Sequence, residues 1–391
     1  MSQPPRPVVP SERARRWAST MDGHAGPSVR LAHAGPGVQV GPVAALARTE
    51  REAAEETLLA PGATRARGAG DRTAPEEPDP VRTCFERDRD RILHSTAFRR
   101  LAGKTQVFVF PDDHQRTRLT HALEVAQVAA AVARATRLNV ALVEAIALGH
   151  DCGHGPGGHA SEEALSPYVD GGYDHAVWGA DVVLAPLNLC AETVDGVRNH
   201  SWSRPTPMTP EGAVVSWADR CAYSAHDFED AVRAGIVTPA MLPDLVVERG
   251  GATRSRQLQA FIDGLVEGIT TTGCVGMRPD LAEALAVLRA FNYEHIYLRP
   301  ASVAQADSVI GVLQALVEHF ADRPNAIPGV GHAGGLSGGS PEALRAAVTY
   351  VGGMTDRFAF QSAVAHLGWD PARLPPGIDT GGIRRAAPSP R

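Results

Sequence analysis

Four histidine and aspartate side chains from three separate stretches of the sequence constrain this chain most. His121, the pair His150-Asp151 and Asp219 form an H…HD…D series, and the pair opens the run His150-Asp151-Cys152-Gly153-His154-Gly155-Pro156-Gly157-Gly158-His159-Ala160-Ser161-Glu162. Any fold that uses these groups together must bring separate elements to one point. His121 lies in the window Leu119 to Val128, where apolar residues recur at helical spacing. It shares a face with Val125, Val128 and Val132, so its imidazole is expected to point into the core. A second helix, Asn139 to His150, sets Leu142, Ile146 and His150 on one stripe. Gly153, Gly155 and Pro156 then end that helix and let neighbouring donors turn inward. One histidine on an apolar face is usually a satisfied core residue. The His-Asp pair at a helix end, the upstream histidine and the downstream Asp219 together argue instead for one divalent cation. Two nitrogen and two oxygen donors without a thiolate suit Mn, Fe, Co, Mg or Zn.

The rest of the chain reads as helical. From Val81 to about Phe320 the 3.6-residue period persists, and Val107 to Phe110 is the main β-like run, closed by the turn signal Pro111-Asp112-Asp113. An all-α chain with at most a short β-hairpin is expected. Residues 1–45 are rich in Pro, Ala, Gly and Arg and poor in large apolar groups, which predicts a disordered extension. A short helix at 46–60 and a mobile connector at 61–80 complete the 1–80 segment. The main domain spans 81–370 and ends in one or two helices between Glu342 and Leu367, after a Gly/Pro-rich loop from Arg323 to Pro341. Residues 371–391 read as an unstructured tail.

Composition excludes several classes. The 38 basic and 44 acidic residues give a net charge of −6, so general polyanion binding is not indicated. Five scattered cysteines without CxxC spacing suggest neither a disulfide framework nor a thiolate zinc site, and fit a reducing cytoplasm. Neither a secretory signal nor a run of about 18 apolar residues is read in the sequence, so no membrane association is expected.

At these residues the chain resembles the HD-domain phosphohydrolases, and within them the bacterial deoxyguanosinetriphosphate triphosphohydrolase-like proteins. The likeness is carried by Arg82 to Ser95, Ala97-Phe98-Arg99-Arg100-Leu101, Lys104-Thr105-Gln106-Val107-Phe108, Arg116 to His121 and the His150 to His159 run. It continues in Gly172-Tyr173-Asp174-His175, Ala218 to Asp227 and Gly353-Met354-Thr355-Asp356-Arg357. Two positions depart from the family pattern. Gly157 stands where the family carries a bulky aromatic residue, and Cys152 where it carries an aliphatic one; both changes are expected to loosen packing beside the metal.

The resemblance implies an HD-type helical fold and hydrolysis of a deoxynucleoside triphosphate, dGTP first, to the deoxynucleoside and inorganic triphosphate. It assigns the metal to His121, His150, Asp151 and Asp219. The departing 5′ alkoxide needs a proton, which His159 backed by Glu162 is suited to give, while His154 and His175 contact phosphate. Arg118 and Arg220 become phosphate clamps through their forked donors. Tyr223 and Asp227 correspond to residues that read the deoxyribose 3′-hydroxyl, and Arg99 and Gln106 are expected near the base. Relatives also imply a homo-oligomer, with a regulatory nucleotide or single-stranded DNA as further partners. Two alternatives stay open: an HD phosphatase or phosphodiesterase acting on another nucleotide, and a weakly catalytic nucleotide or DNA sensor.

Overall fold

A computed structural model describes residues 11–109, 115–330 and 335–375. Contacts divide the chain into two units, 1–46 and 47–391. In the first, Ser11 caps helix α1 (Glu12–Ala18), and β1 (His24–Ala25) pairs antiparallel with β2 (Arg30–Leu31). None of its described side chains is buried, in keeping with its few large apolar groups, but the helix and strand pair over 12–31 correct the expectation of an extension without structure.

Among the described residues of the second unit, the regular elements are all helices. It begins with α2 (Arg48–Leu58), α3 (Cys84–His94) and α4 (Thr96–Arg100). Between α2 and α3 the expected mobile connector is instead fastened to the helices. Ala63 and Ala66 are buried, Thr64 bonds Glu211 through both its amide and its hydroxyl, and Arg72 forms a fully buried ion pair with Asp88 at 2.6 Å. These partners lie outside the segment, Glu211 147 residues beyond Thr64, so its local composition gives no sign of them.

The first core is built on α5 (Arg118–Thr136) and α6 (Val140–Gly149). Asn139 caps α6 by accepting from Leu142 N. Val125, Val128 and Val132 of α5 meet Leu142 and Ile146 of α6, all fully buried, and each contributes roughly 1.5–3 kcal/mol. The short helices α7 (His159–Leu165), α8 (His175–Trp178) and α9 (Ala191–Arg198) follow, then the long α10 (Pro210–Arg233), whose Thr209 cap accepts from Gly212 N. α11 (Asp244–Gly250), α12 (Arg254–Thr272) and α13 (Pro279–Asn292) close this core.

A second core joins α7 to α14 (Pro300–Asp322), α15 (Pro341–Gly352) and α16 (Asp356–Leu367). α14 is long and apolar enough to cross a membrane by length and composition. Its Val309, Val312, Leu313, Leu316, Val317 and Phe320 are nevertheless buried against α15 and α16, as in a core helix.

Two further expectations are corrected. Val107 to Val109 form no strand; Thr105 makes one isolated bridge to Thr117, Val107 and Phe108 pack on the first core, and Val109 joins the second. Phe110 and the following turn lie outside the described residues. The tail expected over 371–391 begins too early, because Asp370 caps a turn over Pro371–Arg373 and Leu374 is buried; residues 376–391 lie outside the described residues.

Candidate active site

The start of α5, the end of α6 and the middle of α10 meet at one point. His121 is one turn into α5, His150 caps the C-terminus of α6, Asp151 follows it, and Asp219 lies midway along α10. His121, His150 and Asp151 are at most 3% exposed, while Asp219 keeps 20% of its side chain open to a cavity. His121 Nε2 stands 3.0 Å from Asp219 Oδ1 and 4.0 Å from Asp151 Oδ2. His150 Nε2 stands 3.6 Å from Asp151 Oδ1 and 3.7 Å from Asp219 Oδ1. Donors that share one ion at about 2.1 Å lie within about 4.2 Å of one another, and these four histidine–carboxylate separations obey that limit. His150 Nε2 is buried and has no hydrogen-bond partner, as expected of a ligand nitrogen. The residues therefore fit a divalent cation.

Electrostatics agree with carboxylates kept ionised. Burial opposes the charge on Asp151, but Arg118 and the neighbouring histidines hold its carboxyl well below the usual range. Asp219 is likewise lowered, against burial, by the hydrogen bond from His121. Arg118 Nη1 donates to Asp151 Oδ2 at 2.6 Å, yet its Nε and Nη2 are buried without partners. Two idle guanidinium nitrogens at a cavity wall are a ready site for a phosphate oxygen.

The glycine turn sets the second group of side chains. Gly153 has no room for a Cβ, which would run into the His175 carbonyl and Gly179 backbone, so the turn lies directly on α8. His154 Nε2 is 3.2 Å from Asp151 Oδ1, and its ring stacks on His175 at 3.7 Å. Glu162 bridges two histidines, 3.0 Å from His159 Nδ1 and 2.6 Å from His175 Nδ1. Burial disfavours its charge, but both histidines pull its carboxyl well below the ordinary range, so Glu162 is an ionised acceptor. His175 is raised in turn: burial opposes its charge, but the bond to Glu162 together with the Glu162 and Asp151 charges outweighs it. His159 is 73% exposed at the cavity mouth.

These walls enclose a cavity of about 470 Å³, also lined by Gln106, Arg220, Tyr223 and Asp227. Arg220 lies over the Trp202 ring, 3.4 Å from its centroid. Tyr223 accepts from Arg289 Nε at 2.7 Å. Asp227 already accepts from Arg116 and Tyr297, and Gln106 has a buried, unpartnered Oε1. Arg99 is not brought to the site; it is exposed and donates to the His94 carbonyl. Lys104, from the block expected near the base, is a buried support whose Nζ donates to the carbonyls of His154 and Gly352. Burial pushes its amine down to about 8.

Neither departure from the family pattern leaves a gap. Gly157 has φ +75°, and a Cβ there would sit 2.5 Å from Val309 Cγ1, so α14 fills the space. Cys152 is buried, with its thiol pushed up to about 12 by burial. Sequence reasoning missed His200, Trp202, Arg289 and Tyr297, all on the cavity wall. The signal for the first two was the cluster Asn199-His200-Ser201-Trp202 just after a helix.

A buried His/Asp centre of this order, carried on helices, defines the HD class of hydrolases. Residues 118–224 match the HD domain and residues 275–364 the phosphohydrolase-associated domain. Similar curated proteins bear the name deoxyguanosinetriphosphate triphosphohydrolase-like protein. One from Caldanaerobacter subterraneus subsp. tengcongensis is 40% identical, covering 79% of this chain and 92% of its own. One from Desulfatibacillum aliphaticivorans is 38% identical over 71% and 85% of the two chains, and one from Deinococcus deserti 34% over 85% and 98%. The chain belongs to this deoxyguanosinetriphosphate triphosphohydrolase-like family.

Proposed function

We propose that the chain hydrolyses a deoxynucleoside triphosphate, dGTP first, to the deoxynucleoside and inorganic triphosphate. The observation that carries this is one cavity of about 470 Å³ lined by His121, Asp151 and Asp219 of the cation centre, by His159, which Glu162 holds, and by an arginine with two idle nitrogens. Its volume falls in the range of small-ligand pockets, and the name shared by the relatives supports the triphosphate. His121, His150, Asp151 and Asp219 hold the cation, which when bound polarises a phosphate oxygen and lowers the pKa of water toward about 7.

The remaining work falls to the chain's own groups. Arg118 offers its free nitrogens to phosphate oxygens and stays anchored by Asp151. Glu162 grips His159 through Nδ1, leaving Nε2 to deliver a proton to the departing 5′ oxygen. Arg220, steadied on Trp202, adds positive charge. Tyr223, one turn beyond Asp219, packs against the sugar and leaves no room for a 2′-hydroxyl, while Asp227 reads the 3′-hydroxyl. The buried Oε1 of Gln106 is the acceptor available to a base edge.

The test is to incubate cation-loaded protein with each dNTP and NTP, singly and mixed, and to identify the phosphate released. Inorganic triphosphate from deoxynucleotides is expected. Orthophosphate would move the chain to another class of HD hydrolase, and no product from any of them would overturn the assignment.

A further inference from the structure

We infer that His200 is a fifth protein ligand of the metal centre. This rests on the metal reading of the site and is independent of the substrate.

Two histidines of the chain are built into it by the same local device. His150 follows the last turn of α6, and its Nδ1 lies 2.6 Å from the Ala147 carbonyl. His200 follows the last turn of α9, and its Nδ1 lies 2.8 Å from the Val197 carbonyl. A carbonyl only accepts, so in both rings Nδ1 carries the hydrogen and Nε2 keeps its lone pair, the tautomer a ligand histidine needs. Both rings are at most 2% exposed, which denies that lone pair bulk water.

Geometry sets the two rings side by side. Donor atoms of His150, Asp151 and His200 lie within 4.8 Å of one another, as do those of His121, His150 and Asp219. His150 is therefore common to both groups. The His150 and His200 rings meet edge-on at 79° with centroids 4.9 Å apart, much as His121 and His150 do at 70° and 5.4 Å. Imidazoles bound to one ion at about 2.1 Å hold their centroids about 4.6 to 5.3 Å apart for right-angle to tetrahedral bonds. The His154 and His175 pair is a useful contrast. Those rings stack at 3.7 Å and 15°, and parallel in-plane lone pairs do not converge on an ion.

His200 Nε2 now lies 3.2 Å from His175 Nε2, and one lone pair cannot serve both a donor and a cation. His175 keeps its anchor on Glu162 either way. A donor set of three nitrogens and two oxygens favours Fe, Co or Zn over Mg, because imidazole is a poor ligand for Mg.

The test counts bound nitrogens. Pulsed electron paramagnetic resonance on the full chain loaded with Mn²⁺ should report three directly coordinated imidazoles, falling to two in His200→Ala and in the better size match His200→Gln. Titration with Co²⁺ should show at least a hundredfold weaker binding in both variants, with shifted visible bands. A positioning residue would weaken binding but leave the nitrogen count and bands as in the unaltered chain, and that result overturns the inference. Asp219→Ala serves as the control that loses the cation; an unaltered chain that binds none overturns the metal reading itself.

Discussion

The inner wall of the cavity and its mouth are held in different ways. On the inner wall His121, His150, Asp151 and Arg118 are all nearly sealed from solvent, and each charge is balanced chiefly by another of the same group. At the mouth His159 is 73% exposed, Tyr293 is 52% exposed, and Arg289 touches Tyr223 in the open. Buried charges that depend on one another are costly to leave alone, whereas exposed ones are cushioned by water. The inner wall therefore couples chemistry to folding, and the mouth does not.

The largest expected effect is on the inner wall. Asp151→Ala should lose both bound metal and turnover, and should also destabilise the metal-free protein by about 3–5 kcal/mol, because Arg118 is left as a buried unpaired charge. Urea unfolding checks this, and unaltered stability would erase the distinction between the two regions. Glu162→Gln, nearer the mouth, should keep metal content while turnover falls about 10²–10⁴-fold, measured by single-turnover kinetics beside metal analysis.

Lys104, beneath the glycine turn, sharpens the contrast through pH. Its folded-state value of about 8 lies below the 10.5 of an ordinary lysine, so between those values the unfolded chain holds a proton that the folded chain has released. Stability should rise from pH 8 to 10.5 on this account, by roughly 3 kcal/mol at most. In Lys104→Met that rise should vanish, as read from denaturant midpoints across the window. Gly157→Ala should cost about 1–3 kcal/mol through its positive φ and the clash with Val309, and adding Val309→Ala should recover part of it in thermal melts. Arg99→Ala should change kcat/KM less than twofold, since its guanidinium is turned to the His94 carbonyl.

The helices that carry the inner wall were legible because apolar periodicity and chemistry coincide on them. His121 repeats with valines, and His150 with Leu142 and Ile146, so the same pattern announced the helix, its buried face and the donors upon it. His200 escaped because it stands beyond the end of α9, where no period reaches. The 61–80 segment was misread for a related reason: its hold on the molecule lies in single long-range pairings, Arg72 with Asp88 and Thr64 with Glu211. Arg99 shares a motif with true wall residues, but of its own short helix only Phe98 is buried, and a motif does not say which side chains turn inward.

Asp356 belongs to the segment that matches the phosphohydrolase-associated domain. One of its carboxylate oxygens accepts from the Gly157 amide, and the other from the amide and hydroxyl of Thr105. The stretch recognised as the HD domain, 118–224, thus borrows the support of its own glycine turn from more than a hundred residues downstream. A gene shortened after that stretch would encode His121, His150, Asp151 and Asp219 and still deliver a slack, disarmed centre, so the two matched segments are one working part.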